Sequence, residues 1–426
     1  MPLKRPIIPA IVAQHVEDAA SLRAVRSVLV RAPHVKLLQL ARADERLYAH
    51  LDGLAIAGDD GNRLAQSALE TPGVGQLFVV AVNAIERQDR AQVDRLLALV
   101  GVVPDAARAL ASACGWVSPA SLRGLIADLL GSADATRRWL GMAACGLHRV
   151  DPGAVLASAI ADASDLLRAQ ALQTAGQVGR VDLLEACLSC ADDADPSARF
   201  TRFRAAASAL LLGGGARAAR VLQSIAQEPE GFHRQALQLL LLQADPAQAR
   251  AVVRELLARP APMRLVIQAT GWAGDVQAVP WLIQQMADPT QARVAGEAFT
   301  LLTGADLALL DLEGPSPETV EGGPTEDADD DNVALDEDES LPWPDVPKVK
   351  AWWEAHRSRL PTATRCFMGA AADEAHCQHV LRTGAQRQRA VAALLLALMR
   401  PGSVLFNVAA PAPRQQRLLG LPVKVS

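Results

Sequence analysis

The chain repeats itself at an interval of about 31 residues, and this period constrains its fold more than any other feature. Equivalent positions at the ends of successive apolar segments are separated by 30, 29, 33, 31, 32, 31, 30 and 31 residues. These positions are Asp59, Asp89, Ser118, Asp151, Asp182, Gly214, Asp245, Asp275 and Asp306. Such a period indicates a helical repeat array, in which each unit buries its apolar face against its neighbours.

One repeat, residues 275–306, is predicted to contain two short helices joined by a tight turn. Asp275 is placed to accept hydrogen bonds from the free N–H groups of the first helix. Asp288-Pro289 starts the second helix, with proline at its first position, and Gly304 ends it. Pro280 lies about one turn inside the first helix, so we expect that helix to bend.

The composition agrees with closely packed helices. Of 426 residues, 50% are hydrophobic but only 4% are aromatic, whereas a β-sandwich needs many β-branched and aromatic residues. No apolar run approaches the length of a transmembrane helix, and the N-terminus lacks a convincing signal-peptide cleavage site. The six cysteines are irregularly spaced, as is typical of reduced thiols in the cytoplasm. We predict an all-α fold, an α-solenoid of helix pairs.

The repeat pattern and composition divide the chain into five segments. They are 1–29, an N-terminal capping helix; 30–117, degenerate repeats; 118–306, regular repeats; 307–345, an acidic linker; and 346–426, a small helical C-terminal module with an extended tail. The linker is rich in Pro, Gly and acid, so most of it is expected to be disordered. In the last segment, residues 374–402 predict one strong helix that ends at Pro401-Gly402, and the tail is expected to lie on this module or free.

Charge is distributed unevenly between the linker and the rest of the chain. Residues 313–345 hold 13 acidic side chains and no Lys or Arg, so the remainder of this −5 chain carries a net charge of +8. Four aspartates match positions 1, 3, 5 and 12 of a calcium loop: Asp327, Asp329, Asp331 and Asp338. Asn332 replaces the required glycine, so a solvated acidic linker is the favoured interpretation. The linker could also occupy a basic face of the repeats until a partner displaces it.

An arginine follows the inter-helix turn in each regular repeat: Arg138, Arg168, Arg199, Arg234, Arg264 and Arg293. The first interpretation is structural, with each arginine paired to a turn aspartate of its own or the next repeat. The second is a basic stripe that binds an acidic partner or nucleic acid. The candidate partner-binding residues of this second interpretation are Arg138, Arg168, Arg234, Arg264 and Arg293, together with Trp343.

Trp343 stands between two prolines and forms a stiff, extended anchor. One interpretation is that its ring packs on the next helix, which carries Trp352 and Trp353. The other is that it docks a partner protein.

Motifs for catalysis are absent from the sequence. There is no nucleophile elbow, no Walker loop and no dinucleotide fingerprint. His376 and His379 would share a helical face, but no carboxylate or thiol pair completes a metal site. Cys187 and Cys190 are likewise followed by no second pair at zinc spacing. We predict that the protein is not an enzyme and holds no cofactor and no metal.

The stretch GDVQAVPWLIQQMADPTQARVAGEAF resembles HEAT-type repeats, well over 118–306 and loosely over 30–117. The acidic linker, LPWPD, the helix with two tryptophans and the tail APAPRQQRLL extend the resemblance to the whole chain. In this order they resemble an uncharacterised bacterial HEAT-repeat-like protein family, often encoded near type VI secretion components. That resemblance implies an accessory adaptor or chaperone for a secreted cargo. The His–Glu dipeptides that bind iron in HEAT-like hydroxylases do not occur here.

We therefore expect a non-catalytic protein-binding scaffold whose partner is another protein, such as a secretion component or cargo. The alternative is a nucleic-acid-binding or nucleic-acid-modifying HEAT-like protein, since some HEAT-like solenoids are DNA glycosylases. The sequence pI near 5.9 and the absence of interleaved aromatic and basic residues favour the scaffold.

Overall fold

The computed structural model describes residues 7–423 except 71, 194, 196–197, 229–230 and 318–335. Within these residues the regular structure is 22 α-helices, a few single 3₁₀ turns and one two-stranded hairpin. The predicted all-α class is thus confirmed. None of the described helices combines the length and apolar composition needed to cross a bilayer.

The first thirteen helices are, in chain order, α1 (Pro9–Leu29), α2 (Leu37–Ile56), α3 (Gly58–Ser67), α4 (Val74–Glu86), α5 (Arg90–Leu97), α6 (Ala106–Trp116), α7 (Leu125–Leu130), α8 (Ala135–His148), α9 (Ala154–Ile160), α10 (Asp165–Val178), α11 (Leu184–Ala191), α12 (Arg199–Leu211) and α13 (Gly215–Ala226). The remaining elements are α14 (His233–Gln243), α15 (Pro246–Leu257), α16 (Met263–Ala273), α17 (Val279–Gln285), α18 (Ala292–Thr303), α19 (Val346–His356), β1 (Cys366–Phe367), β2 (Ala370–Ala371), α20 (Glu374–Thr383), α21 (Gln386–Met399) and α22 (Ala412–Leu418).

The chain forms two compact units. Among described residues, unit 1 comprises those up to Arg31, then Val35–Ala218 and those from Pro401 onward. Unit 2 comprises Ala32–His34 and Ala219–Arg400. These boundaries divide the predicted C-terminal module, because its tail belongs to unit 1 and its other helices belong to unit 2.

Unit 1 is built around a row of helices in which α4, α6, α8, α10 and α12 pack one against the next. The shorter helices α5, α7, α9 and α11 pack on members of this row. Small side chains allow the close approach: at Gly176 an added Cβ would lie 2.5 Å from the Ser208 hydroxyl oxygen on the neighbouring helix. The low aromatic content of the sequence therefore agrees with the close packing of the helices in this row.

Unit 2 has a similar row in which α14 packs on α16 and α16 packs on α18, with α15 and α17 on its outside. Helix α19 packs on α17, and Val349 and Trp353 join the apolar core formed by α17 and α18. The hairpin of β1 and β2 pairs Cys366 with Ala371 and contacts α18. Helices α20 and α21 pack together, and α21 also contacts α14.

Asp275 caps the first helix of its repeat as predicted, because its carboxylate accepts from the Gln277 N–H at 3.1 Å. Pro280 does not remove a helical hydrogen bond, contrary to expectation. A 3₁₀ turn occupies Val276–Ala278, and Pro280 falls in the first turn of α17, where a missing N–H breaks no helical hydrogen bond.

Three expectations for the C-terminal region are also wrong. The single helix predicted over 374–402 is two helices, because Gly384 adopts an extended conformation between α20 and α21. The module is not entirely helical, since it contains the hairpin of β1 and β2. The tail is neither free nor packed on the module, because it forms α22 and belongs to unit 1.

Both described ends of the predicted linker are ordered. Leu307 and Leu312 are buried in the core of unit 2, and Glu313 forms an isolated β-bridge with Pro344. The Asp345 N–H donates to the Leu312 carbonyl oxygen at 2.8 Å, so the two ends of the linker meet. Its apolar residues at both ends explain this order, which the acidic composition of the middle concealed. The prediction of disorder for 318–335 lies outside the described residues.

Candidate partner-binding site

Two of the repeat arginines of unit 1, Arg138 and Arg168, bind acceptors within the repeats. Arg138 donates to Asp162, in the turn of the next repeat, at 2.6 Å, and to the carbonyl oxygens of Ser132 and Ala133. Arg168 donates to Asp165 and to the Asp162 carbonyl oxygen. Both guanidinium groups therefore link turns that are close in sequence.

The equivalent arginines of unit 2 bind the far end of the acidic linker. Arg264 donates to both carboxylate oxygens of Asp338, at 2.5 and 2.7 Å, and to Glu337 at 3.2 Å. Arg293 donates to Asp336 at 2.5 Å. Three consecutive carboxylates thus lie on arginines of two successive repeats, α16 and α18.

Local sequence explains why Arg264 needs a distant partner. The turn before α16 is Pro260-Ala261-Pro262, and Pro262 occupies the N-cap position with no side-chain hydrogen bond. The corresponding caps in unit 1, Asp134 and Ser164, each accept a backbone N–H. Without a carboxylate in its own turn, the unit 2 repeat leaves its arginine available for the linker.

Trp343 contributes to the same site. The Arg293 guanidinium carbon lies 4.5 Å from the Trp343 ring centroid, a cation–π distance. The backbone of Trp343 is fixed because its carbonyl oxygen accepts from the Gly314 N–H at 2.8 Å. The ring is half-buried and occupies one side of an arginine whose other contact is Asp336.

Arg234, the third candidate in unit 2, makes different contacts. Its Nε donates to Gln268 at 2.9 Å, and its guanidinium lies 5.4 Å from the Trp272 ring centroid. Burial lowers the pKa of Arg234. The structure therefore places this arginine beside an amide and an indole ring on α16.

Two further charged residues belong to this region and were missed in the sequence. Arg387 on α21 donates to both carboxylate oxygens of Glu297 at 2.9 Å and to the Glu337 carbonyl oxygen at 3.0 Å. Burial raises the pKa of Glu297, and the neighbouring Arg387 partly offsets that rise. A glutamate such as Glu297 on a helix of the row is only a weak sign of a site in the sequence. Nothing in the sequence pairs it with Arg387, which is 90 positions away.

Hydrogen bonds at the site favour the ionised form of Asp336. Burial disfavours the charge of Asp336, but the Asp338 N–H and the Arg293 guanidinium outweigh it and lower the pKa of Asp336. Hydrogen bonding to Asp338 raises the pKa of Arg264. We call the set Arg264, Arg293, Trp343 and Asp336–Asp338 the acidic-segment site. Residues 337–340 form a turn, so the site holds an acidic turn by charge-assisted hydrogen bonds.

The histidines considered for metal binding contact other residues of the fold, and the cysteines named below are buried. His376 Nε2 lies 2.8 Å from the Phe367 carbonyl oxygen, and its ring stacks near His379. No three metal-ligating side chains form a candidate site among the described residues. The calcium-loop residues other than Asp338 lie outside them. Burial raises the pKa of the Cys114 and Cys187 thiols to about 12, so these thiols stay protonated near neutral pH.

Comparison with protein-family models, with curated proteins and with solved structures returned no match. The family resemblance therefore rests on the sequence motifs, and function must be inferred from the site itself.

Proposed function

We propose that this chain is a non-catalytic protein-binding scaffold, an α-solenoid of HEAT-like helix pairs. The rows of successive helices in each unit support this architecture, because each helix in a row contacts the one before it and the one after it. Repeat arrays of this kind present extended surfaces that suit protein partners.

The observation that carries the proposal is the occupancy of the acidic-segment site. Arg264 and Arg293, equivalent positions in successive repeats, bind a three-carboxylate segment that is distant in sequence. A surface that recognises one acidic segment has the chemistry to recognise another. The partner is accordingly a protein with an exposed acidic segment, and residues 336–338 compete with it.

The resemblance to the HEAT-repeat-like family places this partner, as part of the proposal, among type VI secretion components or their cargo. The chain would then act in the cytoplasm as an adaptor or chaperone. The sequence pI near 5.9 favours a protein partner over nucleic acid.

Affinity purification from the native host, with nuclease treatment and mass spectrometry, tests the proposal. The baits are wild type, the neutralised segment D336N/E337Q/D338N, the site variant R264A/R293A and the matched unit 1 variant R138A/R168A. We expect one stoichiometric protein that increases with the neutralised bait, is lost with R264A/R293A and is retained with R138A/R168A. Circular dichroism of each bait controls for folding.

Two results would contradict the proposal in different ways. A protein partner recovered equally by R264A/R293A would show that the scaffold binds through another surface. Nucleic acid recovered without a protein, and lost on nuclease treatment, would replace the scaffold by the nucleic-acid alternative.

A further inference from the structure

The C-terminal segment, residues 401–418, runs along the carboxyl ends of the helices of unit 1. The Gly402 N–H donates to Leu211 at the end of α12 at 2.9 Å. The Leu405 N–H donates to Gln177 near the end of α10 at 3.0 Å. Next, the Asn407 amide donates to Leu147 near the end of α8 at 2.9 Å.

The path of the segment follows the spacing of the helix row. An extended chain advances about 3.3 Å per residue, so the three residues from Gly402 to Leu405 span about 10 Å. Packed helices lie about 8–10 Å apart, which matches the step from α12 to α10. Arg414 reaches the carbonyl oxygen of Val117, the C-cap of α6, at 3.1 Å. The segment therefore contacts α12, α10, α8 and α6 in the reverse of their order in the chain.

These contacts supply hydrogen bonds that helix ends lack. The last four carbonyl oxygens of an α-helix have no partner within the helix. Here the segment donates to one such carbonyl in each of four helices. We call this row of helix ends the carbonyl edge of unit 1.

Unit 1 also donates to the backbone of the segment. Arg149 Nε donates to the Leu405 carbonyl oxygen at 2.6 Å, and burial lowers the pKa of Arg149 to about 10. Arg26 donates to the carbonyl oxygens of Ala409 and Ala410, each at 3.1 Å. The recognition is thus directed mainly at main-chain atoms, as in other modes of extended-peptide binding.

The far end of the segment is anchored by a buried carboxylate. Asp44 is fully buried; its Oδ2 accepts from the Ala412 N–H at 2.7 Å and its Oδ1 accepts from Arg26 at 2.6 Å. Ala412 is the first residue of α22, so Asp44 supplies the hydrogen bond that a capping side chain would otherwise give.

Close backbone contact restricts what can occupy the edge. Gly179 has φ +78° at the end of α10, and a Cβ there would lie 2.0 Å from the Gly402 carbonyl oxygen. A Cβ on Gly402 would lie 2.3 Å from a Val181 methyl group. Both glycines are therefore required by the contact as well as by their backbone conformation.

We propose that the carbonyl edge of unit 1 is a peptide-binding site and that its ligand is residues 401–418 of this chain. The segment binds as a peptide would, through its backbone and the side chains of Asn407 and Arg414, and it does not need its covalent connection to α21. Unit 1 is completed only when residues 401–418 are bound to it. The inference is independent of the acidic-segment site, which lies entirely in unit 2.

The test uses the full chain with a site for a sequence-specific protease inserted at the exposed junction of Arg400 and Pro401. After cleavage, we expect the segment to co-elute with the remainder in size-exclusion chromatography and to exchange with an added fluorescent peptide of residues 401–423. Free elution of the segment, while circular dichroism shows the remainder still helical, would overturn the proposal.

Gly179→Ala provides the specific variant and Gly58→Ala its matched control. Gly58 also has positive φ, +60°, but a Cβ there would meet nothing within 4 Å. We expect G179A to weaken retention of the cleaved segment about tenfold or more, as a loss of at least about 1.4 kcal/mol would, and G58A to leave it unchanged.

Hydrogen exchange of the uncleaved chain keeps the proposal testable if cleavage impairs folding. The amides of Gly402 and Leu405 should be protected in wild type and G58A, and should lose protection in G179A. Equal exchange at these amides in G179A and G58A would contradict the proposal.

Discussion

Repeat arginines of both units pair with carboxylates, but the sequence separation between arginine and carboxylate differs between the units. Arg138 in unit 1 binds a carboxylate 24 residues away, whereas Arg264 in unit 2 binds one 74 residues away. The turn before the unit 2 helix α16 has no carboxylate, and the end of the acidic linker replaces it. The missing carboxylate accounts for Arg264 but not for Arg293, which binds Asp336 although its own turn contains Asp288.

Helix ends show a second difference between the units. In unit 1 the carbonyl edge is covered by the C-terminal segment. In unit 2 the chain around β1 donates hydrogen bonds to the helix ends. The Cys366 N–H donates to the Gly274 carbonyl oxygen, and the Met368 N–H donates to the Leu301 carbonyl oxygen. Two unrelated stretches thus satisfy the same backbone requirement, because helices packed in a row leave their last carbonyl groups along one line.

The largest effect is expected from removing Arg365 in unit 2. Its guanidinium donates to four carbonyl oxygens, of Leu241, Ala244, Trp272 and Ala273, at 2.5–3.1 Å. Burial lowers the pKa of Arg365 to about 10. Arg365→Ala leaves these acceptors without that donor and should reduce the free energy of unfolding by about 3–5 kcal/mol. Urea unfolding followed by circular dichroism measures this.

The corresponding unit 1 residue is Arg149, which donates to Leu405 and Gly146. Because it serves fewer carbonyl groups, Arg149→Ala should cost less than Arg365→Ala. Exposed Arg359 is the control, with an expected change near zero. A cost for Arg365→Ala equal to that of Arg359→Ala would show that the guanidinium does not join α14 to α16.

A smaller effect is expected at the glycine that ends α18. Gly304 has φ +72°, and a Cβ there would lie 2.6 Å from the Met368 carbonyl oxygen. Gly304→Ala should reduce the free energy of unfolding by about 2–3 kcal/mol, from backbone strain plus the displaced chain. Gly231→Ala has φ +87° and open space, so only the strain of about 1 kcal/mol remains. Thermal unfolding of both variants should separate the effect of backbone strain from the effect of the close contact with Met368. If both variants lose the same free energy of unfolding, the close contact has no effect.

Double-mutant cycles should distinguish the two kinds of arginine pair. The Asp338 side chain is 6% exposed, whereas that of Asp162 is 21% exposed. The coupling between Arg264 and Asp338 should be about 1–2 kcal/mol and should persist in high salt. The coupling between Arg138 and Asp162 should be smaller and should fall with salt. The reverse order would mean that the linker contact is the weaker of the two.

The smallest effect is a pH dependence confined to unit 1. Burial lowers the pKa of His148 to about 4, and Arg414 of the C-terminal segment adds to this. The unfolded chain takes up a proton near pH 6.5 that the folded chain does not, so stability is complete above that pH and declines as pH falls towards 4. Between pH 7 and pH 6 the expected loss is about 0.7 kcal/mol.

His148→Gln keeps a donor for the Cys114 carbonyl oxygen, which His148 Nε2 approaches at 2.8 Å, and removes the titration. Its free energy of unfolding should lose this component of the pH dependence. Arg414→Gln should raise the pKa of His148, so the decline of stability with falling pH should end at a higher pH. Identical pH profiles for wild type and His148→Gln would contradict the assignment.

Local features of the helices were predictable because they depend on neighbouring residues. Asp275 caps its helix as its sequence position indicates, and Gly304 ends α18 with positive φ. The position of Pro280 was misjudged because a 3₁₀ turn before α17 absorbs the first residues of the apolar pattern. The break at Gly384 was missed because the apolar pattern continues across it, while the packing of α20 on α21 requires a change of direction.

The site was only partly predictable. Arg264, Arg293 and Trp343 were identified from spacing and composition, but Arg387 and Glu297 were not, since nothing local relates them. The order at both ends of the linker was not predicted, because composition averages over a segment, whereas a few apolar residues decide where it is anchored. Whether the candidate arginines bind a partner stays a prediction.

The sequence by itself determined that this chain forms helices, where most of them begin and end, and that they repeat. Those properties follow from caps, turns and apolar periodicity within a few residues. Tertiary structure alone decided which carboxylate meets Arg264 and which stretch covers the carbonyl edge. Many acidic segments could satisfy one arginine, and many extended stretches could satisfy one row of carbonyl groups. The choice depends on which distant segment the packed helices bring within hydrogen-bonding distance.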